Sequence, residues 1–130
     1  MPKVSVVIPT CNRSDKVYFA IDSVVKQTFT DIEIIVVNDG EDDGSVQEVI
    51  DKFADRRVRY LRNQRKKGAN GARNTGFLHA KGFYIAFLDD DDTWYPEKIQ
   101  KQMQKFIESS GKVGMVYSGY EIVSTSSSEF

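Results

Sequence analysis

Residues 89–92 are four consecutive aspartates, and their carboxylates are the groups in this sequence best suited to chemistry. They directly follow residues 84–88, an apolar run without a polar face that predicts a strand buried on both sides. Adjacent like charges are unfavourable unless a cation or several donors offset them, and clustered carboxylate oxygens suit hard ions such as Mg²⁺ or Mn²⁺. We therefore expect a metal or ligand site at the end of this strand.

The spacing of the four acids predicts how they divide if the segment stays extended. Asp89 and Asp91 would then share one side, and Asp90 and Asp92 the other, so that one pair could face a ligand. A plainer alternative is that the acids merely end a strand and introduce a helix that starts at Pro96, because acidic residues favour a helix N-terminus. An isolated Asp-Asp pair would fit that alternative, but four acids after a buried strand favour a metal or ligand site.

Strand and helix patterns alternate along the chain and predict an α/β fold. We expect strands over residues 4–8, 32–37, 58–61, 84–88 and 113–117, and helices over residues 14–27, 45–53, 72–80 and 96–107. This alternation predicts a mostly parallel sheet of about five strands, with right-handed crossovers and helices on both faces. The carboxyl ends of parallel strands share one edge, so the loops at residues 10–13, 38–43 and 89–92 should meet there.

The composition is that of one globular domain and excludes several classes of protein. At 130 residues, with 40% hydrophobic and 28% charged residues, the chain can build a single core. Its 18 Lys and Arg balance 19 Asp and Glu, so no global field favours nucleic acid, and we expect no nucleic-acid partner. The single cysteine, Cys11, rules out an internal disulfide and fits a reducing compartment. No apolar run could span a membrane, so we expect a cytoplasmic location, or the inner membrane face if a longer protein carries an anchor.

The predicted site suits a nucleotide. Carboxylates from two strands beside a basic loop fit a ligand with hydrogen-bond donors at one end and a metal-bound diphosphate at the other. Neither a P-loop nor a dinucleotide-binding glycine pattern follows the first strand, so a metal must hold the phosphates. One cysteine and one histidine cannot form a structural zinc site. We interpret His79 as a surface or packing residue, whereas Trp94 either covers the mouth of the site or packs in the core.

Five segments, in the order found here, resemble the nucleotide-sugar-binding half of family 2 glycosyltransferases, which are inverting enzymes with the GT-A fold. The segments are VSVVIPTCNR (4–13), SVVKQT (23–28), EIIVVNDG (33–40), GARNTG (71–76) and YIAFLDDDDTWYP (84–96). The resemblance implies a truncated GT-A domain over residues 1–123, and the Ser-rich residues 124–130 read as a mobile tail. It also implies transfer of a sugar from a nucleoside diphosphate donor, usually UDP-linked, to a glycan or lipid-linked acceptor in polysaccharide biosynthesis.

The resemblance further implies a role for each matching residue. Asp39 would accept a hydrogen bond from the base, and Arg73 would help to hold the nucleotide. Asp89 and Asp91 match the Asp-x-Asp motif of the family, in which the first acid lies near the ribose and the last coordinates Mg²⁺ or Mn²⁺. The expected metal ligands are Asp91 and Asp89, and Asp90 or Asp92 could each contact either the metal or the ribose. The complete expected nucleotide-binding set is Pro9, Thr10, Cys11, Asn12, Arg13, Asp39, Arg73, Asp89 and Asp90.

Some positions depart from the pattern of the family. Cys11 stands where many members have an aromatic ring that stacks on the base, and residues 41–43, Glu-Asp-Asp, add charge where Ser-Thr-Asp is usual. The basic residues 62–67 either attract the diphosphate or form a solvated loop. In this family the general base belongs to the acceptor-binding half, beyond residue 130, so no catalytic residue is assigned.

Other classes of protein also gather acids at strand ends. A receiver-like signalling module binds Mg²⁺ in this way but needs acids after the first strand, where residues 9–12 are Pro-Thr-Cys-Asn. A nucleotidyltransferase would need a glycine-rich, basic loop at the same place. A non-catalytic nucleotide-binding or interaction domain is the remaining alternative. Apolar surface exposed by truncation would also favour a homodimer without specifying one.

Overall fold

The computed structural model describes residues 1–110 and 112–122, and the Ser-rich tail predicted over residues 124–130 lies outside them. Eight elements alternate along the chain: β1 (Val4–Thr10), α1 (Ser14–Val25), β2 (Ile32–Asn38), α2 (Ser45–Asp51), β3 (Val58–Arg62), α3 (Ala69–His79), β4 (Tyr84–Phe87) and α4 (Lys98–Glu108). The strands form one sheet in the order β3-β2-β1-β4, and all neighbouring pairs are parallel. The predicted α/β class is confirmed.

Side chains that alternate along the strands fill two apolar layers, one on each face of the sheet. On one face, Val6 and Ile8 of β1 join the cluster that contains the buried residues of α1, α2 and α4. On the other face, Val7 of β1 and Ile35 of β2 pack with Ala72 of α3. Both central strands are buried along their whole length, as their β-branched, apolar sequences predict. The expectation of helices on both faces is therefore confirmed.

Helix α3 lies close to the sheet because Gly76 has no side chain. A Cβ atom at position 76 would lie 2.3 Å from Cγ1 of Val7, far inside van der Waals contact. The neighbouring Thr75 is also buried. The sheet-facing side of this helix is thus made of small residues, and the whole helix sits low over β1.

Two strand predictions were wrong. Strand β4 was expected to be buried on both sides, but it is the edge of the described sheet, and Phe87 is 45% exposed. Residues 113–117 were expected to form a fifth strand, but residues 112–122 contain no strand, and the side chains of Met115 and Tyr117 are exposed. An apolar pattern is local, whereas a strand needs a neighbour to pair with, and no described strand pairs with this segment. The described sheet therefore has four strands.

Several helix bounds differ from the sequence predictions. Helix α1 begins at Ser14 as predicted but ends at Val25 instead of residue 27. Helix α2 begins at Ser45 as predicted, where Oδ1 of Asp43 accepts the Ser45 N–H bond at 3.0 Å. Helix α4 begins at Lys98 instead of Pro96, and Ile107 near its end is exposed. Over residues 1–110 and 112–122, no helix has the length and apolar character needed to cross a bilayer.

A buried carboxylate joins three segments near the amino ends of the strands. Glu33 of β2 is 8% exposed, and its Oε1 accepts hydrogen bonds from Ser5 Oγ and from Lys81 N, both at 2.6 Å. Ser5 Oγ in turn accepts the Gly82 N–H bond at 2.8 Å, and Arg59 lies 3.4 Å from Oε2 of Glu33. Glu33 therefore ties the connection between α3 and β4 to the two central strands.

Gln27 links the end of α1 to the start of α4. Its Nε2 donates to the Tyr95 carbonyl at 2.7 Å and to the Ser23 carbonyl at 3.1 Å, and its Oε1 accepts from Ile99 N at 3.0 Å. Ile99 lies in the first turn of α4, where backbone N–H groups have no partner within the helix. Gln27 therefore caps α4 from a distance and fixes the chain that follows the four aspartates.

Candidate functional site

A cleft of about 280 Å³ opens at the carboxyl edge of the sheet. It is lined by the end of β1, the residue after β2, the first turns of α3 and the segment after β4. The lining residues are Pro9, Thr10, Cys11, Arg13, Asp39, Ala69, Ala72, Arg73, Asp89, Asp90 and Asp91. The predicted convergence of the three strand-end loops is confirmed, and all the residues expected at the nucleotide except Asn12 line this cleft.

Asp39 follows β2 and is held by the protein on both carboxylate oxygens. Its Oδ1 accepts from Nδ2 of Asn63 at 2.6 Å, and its Oδ2 accepts from the Gly68 backbone N–H at 2.8 Å. Its own N–H donates to the Thr10 carbonyl at 2.8 Å. A carboxylate has about four acceptor sites, so two remain after these bonds. The direction of the Asp39 carboxylate in the cleft is thus fixed without using up its acceptor capacity.

The four aspartates form a turn, which we call the acid turn, instead of an extended segment. The N–H of Asp92 donates to the carbonyl of Asp89 at 3.1 Å. Carboxylate oxygens of Asp89, Asp91 and Asp92 consequently lie within 4.8 Å of one another, and all three residues are exposed. The prediction that Asp92 shares a side with Asp90 was wrong, because a turn reverses the alternation that an extended chain imposes.

Asp90 does not belong to this group of three carboxylates. It is 7% exposed, accepts a hydrogen bond from Thr10 Oγ1 at 2.9 Å and lies 3.3 Å from Nη1 of Arg13. These contacts connect the acid turn to the loop after β1 across the sheet edge. Asp90 therefore fixes two other residues that line the cleft.

Two arginines bring positive charge to the cleft. Arg13 lies 3.4 Å from Oδ2 of Asp91, and Nη2 of Arg73 donates to Oδ1 of Asp89 at 2.9 Å. Both pairs are largely open to solvent, where such ion pairs contribute about 0–1 kcal/mol. Guanidinium groups bind phosphate oxygens with two parallel hydrogen bonds. Arg73 can therefore exchange its carboxylate partner for an anionic ligand at small cost, and Arg13 can do the same with Asp91 while it keeps its contact with the buried Asp90.

Arg13 and Arg73 contact Asp89, Asp90 and Asp91, but neither contacts Asp92. Partial desolvation raises the pKa of Asp92 above its usual value, and the neighbouring charges of Asp91, Asp89 and Asp90 raise it further. Three carboxylate oxygens within reach of one ion form the donor set that Mg²⁺ and Mn²⁺ prefer. The residues therefore fit a divalent cation, and Asp92, for which the sequence left metal and ribose as alternatives, belongs to the group.

Asn12 is the one predicted nucleotide-binding residue that does not line the cleft. It has a positive φ of 54°, and its Oδ1 accepts the Glu41 N–H bond at 2.8 Å. A Cβ at Gly40 would lie 2.3 Å from this same oxygen. Asn12 therefore joins the loop after β1 to the loop after β2 from behind the cleft.

The unusual acids after Gly40 have structural partners. Oδ1 of Asp42 accepts the Tyr60 hydroxyl at 2.8 Å, and Asp43 caps α2 through Ser45. Hydrogen bonds from the Ser45 side chain and backbone lower the pKa of Asp43 below its usual value. Asp42 and Asp43 thus anchor the loop that carries Asp39.

Sequence patterns did not indicate several residues around the cleft. Ala69 and Ala72 line it because α3 begins at Ala69, three residues earlier than predicted. Asn63 and Gly68 support Asp39, but Asn63 lies in the basic segment 62–67, which was considered only for its charge, and Gly68 directly follows it. Trp94 is half-buried and packs against the core, so the packing alternative applies to it.

The parallel sheet and its acid-lined cleft define the chain as an α/β domain that binds ligands at the carboxyl edge of the strands. The chain belongs to glycosyl transferase family 2, whose sequence model matches residues 5–126. One relative is the UDP-Glc:alpha-D-GlcNAc-diphosphoundecaprenol beta-1,3-glucosyltransferase WfaP of Escherichia coli, which is 42% identical over 122 residues, covering 94% of this chain and 47% of WfaP. The chain thus spans about half the length of this curated relative.

Solved structures of two other proteins are similar to this one. S. aureus TarS 1-349 in complex with UDP is 26% identical with a TM-score of 0.72, over 82% of this chain and 32% of that one. The mannosyltransferase PcManGT from Pyrobaculum calidifontis, in complex with GDP-Man and Mn²⁺, is 26% identical with a TM-score of 0.63, over 72% of this chain and 28% of that one. These similarities confirm the predicted GT-A type of fold.

Proposed function

We propose that this chain forms the donor-binding part of a metal-dependent glycosyltransferase. It would transfer a sugar, with inversion, from a UDP-linked donor to a glycan or lipid-linked acceptor. The observation that carries the proposal is the joint lining of one cleft by Asp39 and the acid turn. A ligand that spans this cleft needs hydrogen-bond donors at one end and a cation-binding group at the other, as a nucleoside diphosphate has.

The base end of the cleft is formed by Asp39 and the end of β1. Asp39 has acceptor sites left for an N–H group of the base, and Pro9, Thr10 and Cys11 form the wall beside it. Cys11 offers a small, polarisable surface in place of an aromatic ring. We assign base recognition to Asp39 and packing against the base to the three residues of β1 and its loop.

The diphosphate end is formed by the acid turn and the two arginines. Asp89, Asp91 and Asp92 would hold Mn²⁺ or Mg²⁺, which supplies positive charge against the leaving nucleoside diphosphate. Arg13 and Arg73 would leave their exposed carboxylate partners and bind phosphate oxygens. Asp90 contributes to nucleotide binding indirectly, because it holds the loop that carries Arg13.

The names of the similar proteins support the choice of substrates. WfaP is named for UDP-Glc and for a diphosphoundecaprenol acceptor, TarS was solved with UDP, and PcManGT was solved with Mn²⁺. We therefore assign a UDP-linked donor and a lipid-linked acceptor to this protein. A lipid-linked acceptor would place the reaction at a membrane surface, on its cytoplasmic side.

Calorimetric titration of the chain with UDP, in Mn²⁺ and in EDTA, tests the proposal. We expect binding in Mn²⁺ to be at least about tenfold tighter than in EDTA, which corresponds to about 1.4 kcal/mol. Asp91→Ala should abolish this difference, whereas Asp51→Ala, which removes an exposed acid of α2 far from the cleft, should preserve it. Equal binding in Mn²⁺ and EDTA would refute the metal role.

The single cysteine gives an independent test of where the nucleotide binds. Cys11 lines the base end of the cleft, so UDP with Mn²⁺ should slow its alkylation by iodoacetamide. The same nucleotide should give no protection to Asp91→Ala at equal concentration. Unchanged alkylation of the saturated wild-type chain would remove the base from the assigned end of the cleft.

A further inference from the structure

Asn63, the first residue after β3, forms hydrogen bonds through both the nitrogen and the oxygen of its side-chain amide. Its Nδ2 donates to Oδ1 of Asp39 at 2.6 Å and to the Lys66 carbonyl at 3.3 Å. Its Oδ1 accepts from Oγ1 of Thr75 at 2.7 Å and from the Arg65 N–H at 3.0 Å. The amide therefore makes all four of the hydrogen bonds that it is able to form.

The neighbours of Asn63 determine which way its amide faces. The Arg65 N–H can only donate, and the Lys66 carbonyl and the Asp39 carboxylate can only accept. A reversed amide would place its NH₂ group against the Arg65 donor and its oxygen against both acceptors. Thr75, which is 2% exposed in α3, adds a hydroxyl donor on the oxygen side. The orientation that points N–H at Asp39 is therefore the one that all four partners satisfy.

The direction of the Asp39 carboxylate follows from this arrangement. Asn63 holds one carboxylate oxygen and the Gly68 N–H holds the other, and the two donors come from opposite ends of the loop between β3 and α3. Asp39 lines the cleft, and its remaining acceptor sites are available to a ligand there. A ligand group that meets them must present a donor, because an ionised carboxylate has none to offer.

We propose that Asn63, oriented by Thr75, is a positioning residue that makes the cleft selective for the base of the nucleotide. Uracil presents an N–H at ring position 3, whereas cytosine presents an unprotonated nitrogen there, which repels a carboxylate. Selectivity between the two requires Asp39 to be held in one direction. The inference rests on the proposed function, in which Asp39 meets the base.

The test is calorimetric titration of the 130-residue chain with UDP and with CDP, both in saturating Mn²⁺. The wild-type chain should prefer UDP by about tenfold or more, the size expected when a wrong base leaves a buried polar group unpaired. Thr75→Val removes the hydroxyl at nearly constant volume, and Asn63→Ala removes the amide. Asn63→Ala should bring the ratio of UDP to CDP affinity close to one. Thr75→Val leaves the Arg65 and Lys66 contacts of the amide in place and should lower the ratio only part of the way, while Thr75→Ser, which keeps the hydroxyl, should retain the wild-type ratio.

The gain in UDP affinity from Mn²⁺ serves as an internal control, because it depends on the acid turn and should stay at the wild-type value in all three variants. If Thr75→Val and Asn63→Ala keep the wild-type preference, or lose UDP and CDP affinity in parallel, Asn63 is only structural and the inference is overturned. Should Asn63→Ala fail to fold, the comparison of Thr75→Val with Thr75→Ser decides. A wild-type chain that binds UDP and CDP equally overturns this inference alone, whereas one that binds neither overturns the proposed function as well.

Discussion

Removing the Glu33 carboxylate should cost far more stability than removing the guanidinium that faces it. Glu33→Ala eliminates the acceptor of two 2.6 Å hydrogen bonds, from Ser5 and Lys81, in a nearly solvent-free position. Hydrogen bonds to charged groups contribute about 1.5–3 kcal/mol each, so the expected loss is about 3–6 kcal/mol. Arg59→Met breaks a 3.4 Å contact with Glu33 and a 3.1 Å hydrogen bond to the His79 carbonyl, for which about 2 kcal/mol together is the upper range.

Urea denaturation, followed by circular dichroism, measures the difference. With an m-value of about 1.5 kcal/mol/M, Glu33→Ala should lower the unfolding midpoint by about 2–4 M and Arg59→Met by about 1.3 M or less, at unchanged m. Glu33→Gln retains one carbonyl oxygen for the two donors and should fall between them. Folded Glu33→Gln should bind UDP like the wild-type chain, because Glu33 pairs with Ser5 near the start of β1, at the opposite edge of the sheet from the cleft.

The reasoning is refuted by equal midpoint shifts in Glu33→Ala and Arg59→Met. That result would mean that the ion pair, and not the two short hydrogen bonds, stabilises this junction. A double-mutant cycle gives the coupling energy directly, and we expect it to be below about 1 kcal/mol.

Three further predictions concern other parts of the chain. Gln27→Leu leaves the Ile99 N–H without its cap and should lower the free energy of unfolding by about 2–3 kcal/mol in urea denaturation, while Gln27→Glu, which keeps the acceptor, should lower it less. Asp43→Ala should lower the thermal midpoint at pH 7 but not at acid pH. The folded protein lowers the pKa of Asp43, so the ionised carboxylate stabilises the fold at pH values above 3.8, and this stabilisation is lost as the pH falls through the lowered pKa. Asp43→Asn, which keeps an oxygen for Ser45, is its control. Asp92→Asn should raise the thermal midpoint at pH 7 without metal, because the raised pKa makes ionised Asp92 destabilising, and the gain should vanish as pH falls toward 3.8; an unchanged midpoint would contradict the charge argument.

The central strands could be predicted well because nearly all of their residues are of types that favour buried strands. Residues 4–8 and 32–37 are almost entirely apolar and β-branched, and β1 and β2 extend only slightly beyond them. The same kind of apolar pattern misled the prediction for β4. Whether a strand is buried on both sides depends on the elements around it, and the sequence of residues 84–88 does not indicate whether a further strand pairs with them.

The site could be predicted as far as strand ends determine it. Parallel strands bring Asp39 and Asp89 to one edge, and the structure has them lining one cleft. The acid turn was missed because the assumption of an extended chain ignores the hydrogen bond from Asp92 to Asp89. The role of Asn63 could not be predicted from the sequence. Its partners Asp39, directly after β2, and Thr75, in α3, come together only in the folded chain.

Gly76 has no functional group, but it can influence ligand binding in the cleft through the position of α3. Because position 76 has no side chain, α3 packs closely on Val7. Arg73, one turn earlier on the same helix, reaches Asp89 from this position of the helix. A methyl group at position 76 would have to lift the helix or push Val7 aside, and the guanidinium would move with it. A saturation-mutagenesis screen for nucleotide binding should therefore find substitutions at position 76 as damaging as those at ligand contacts, although Gly76 is buried against Val7.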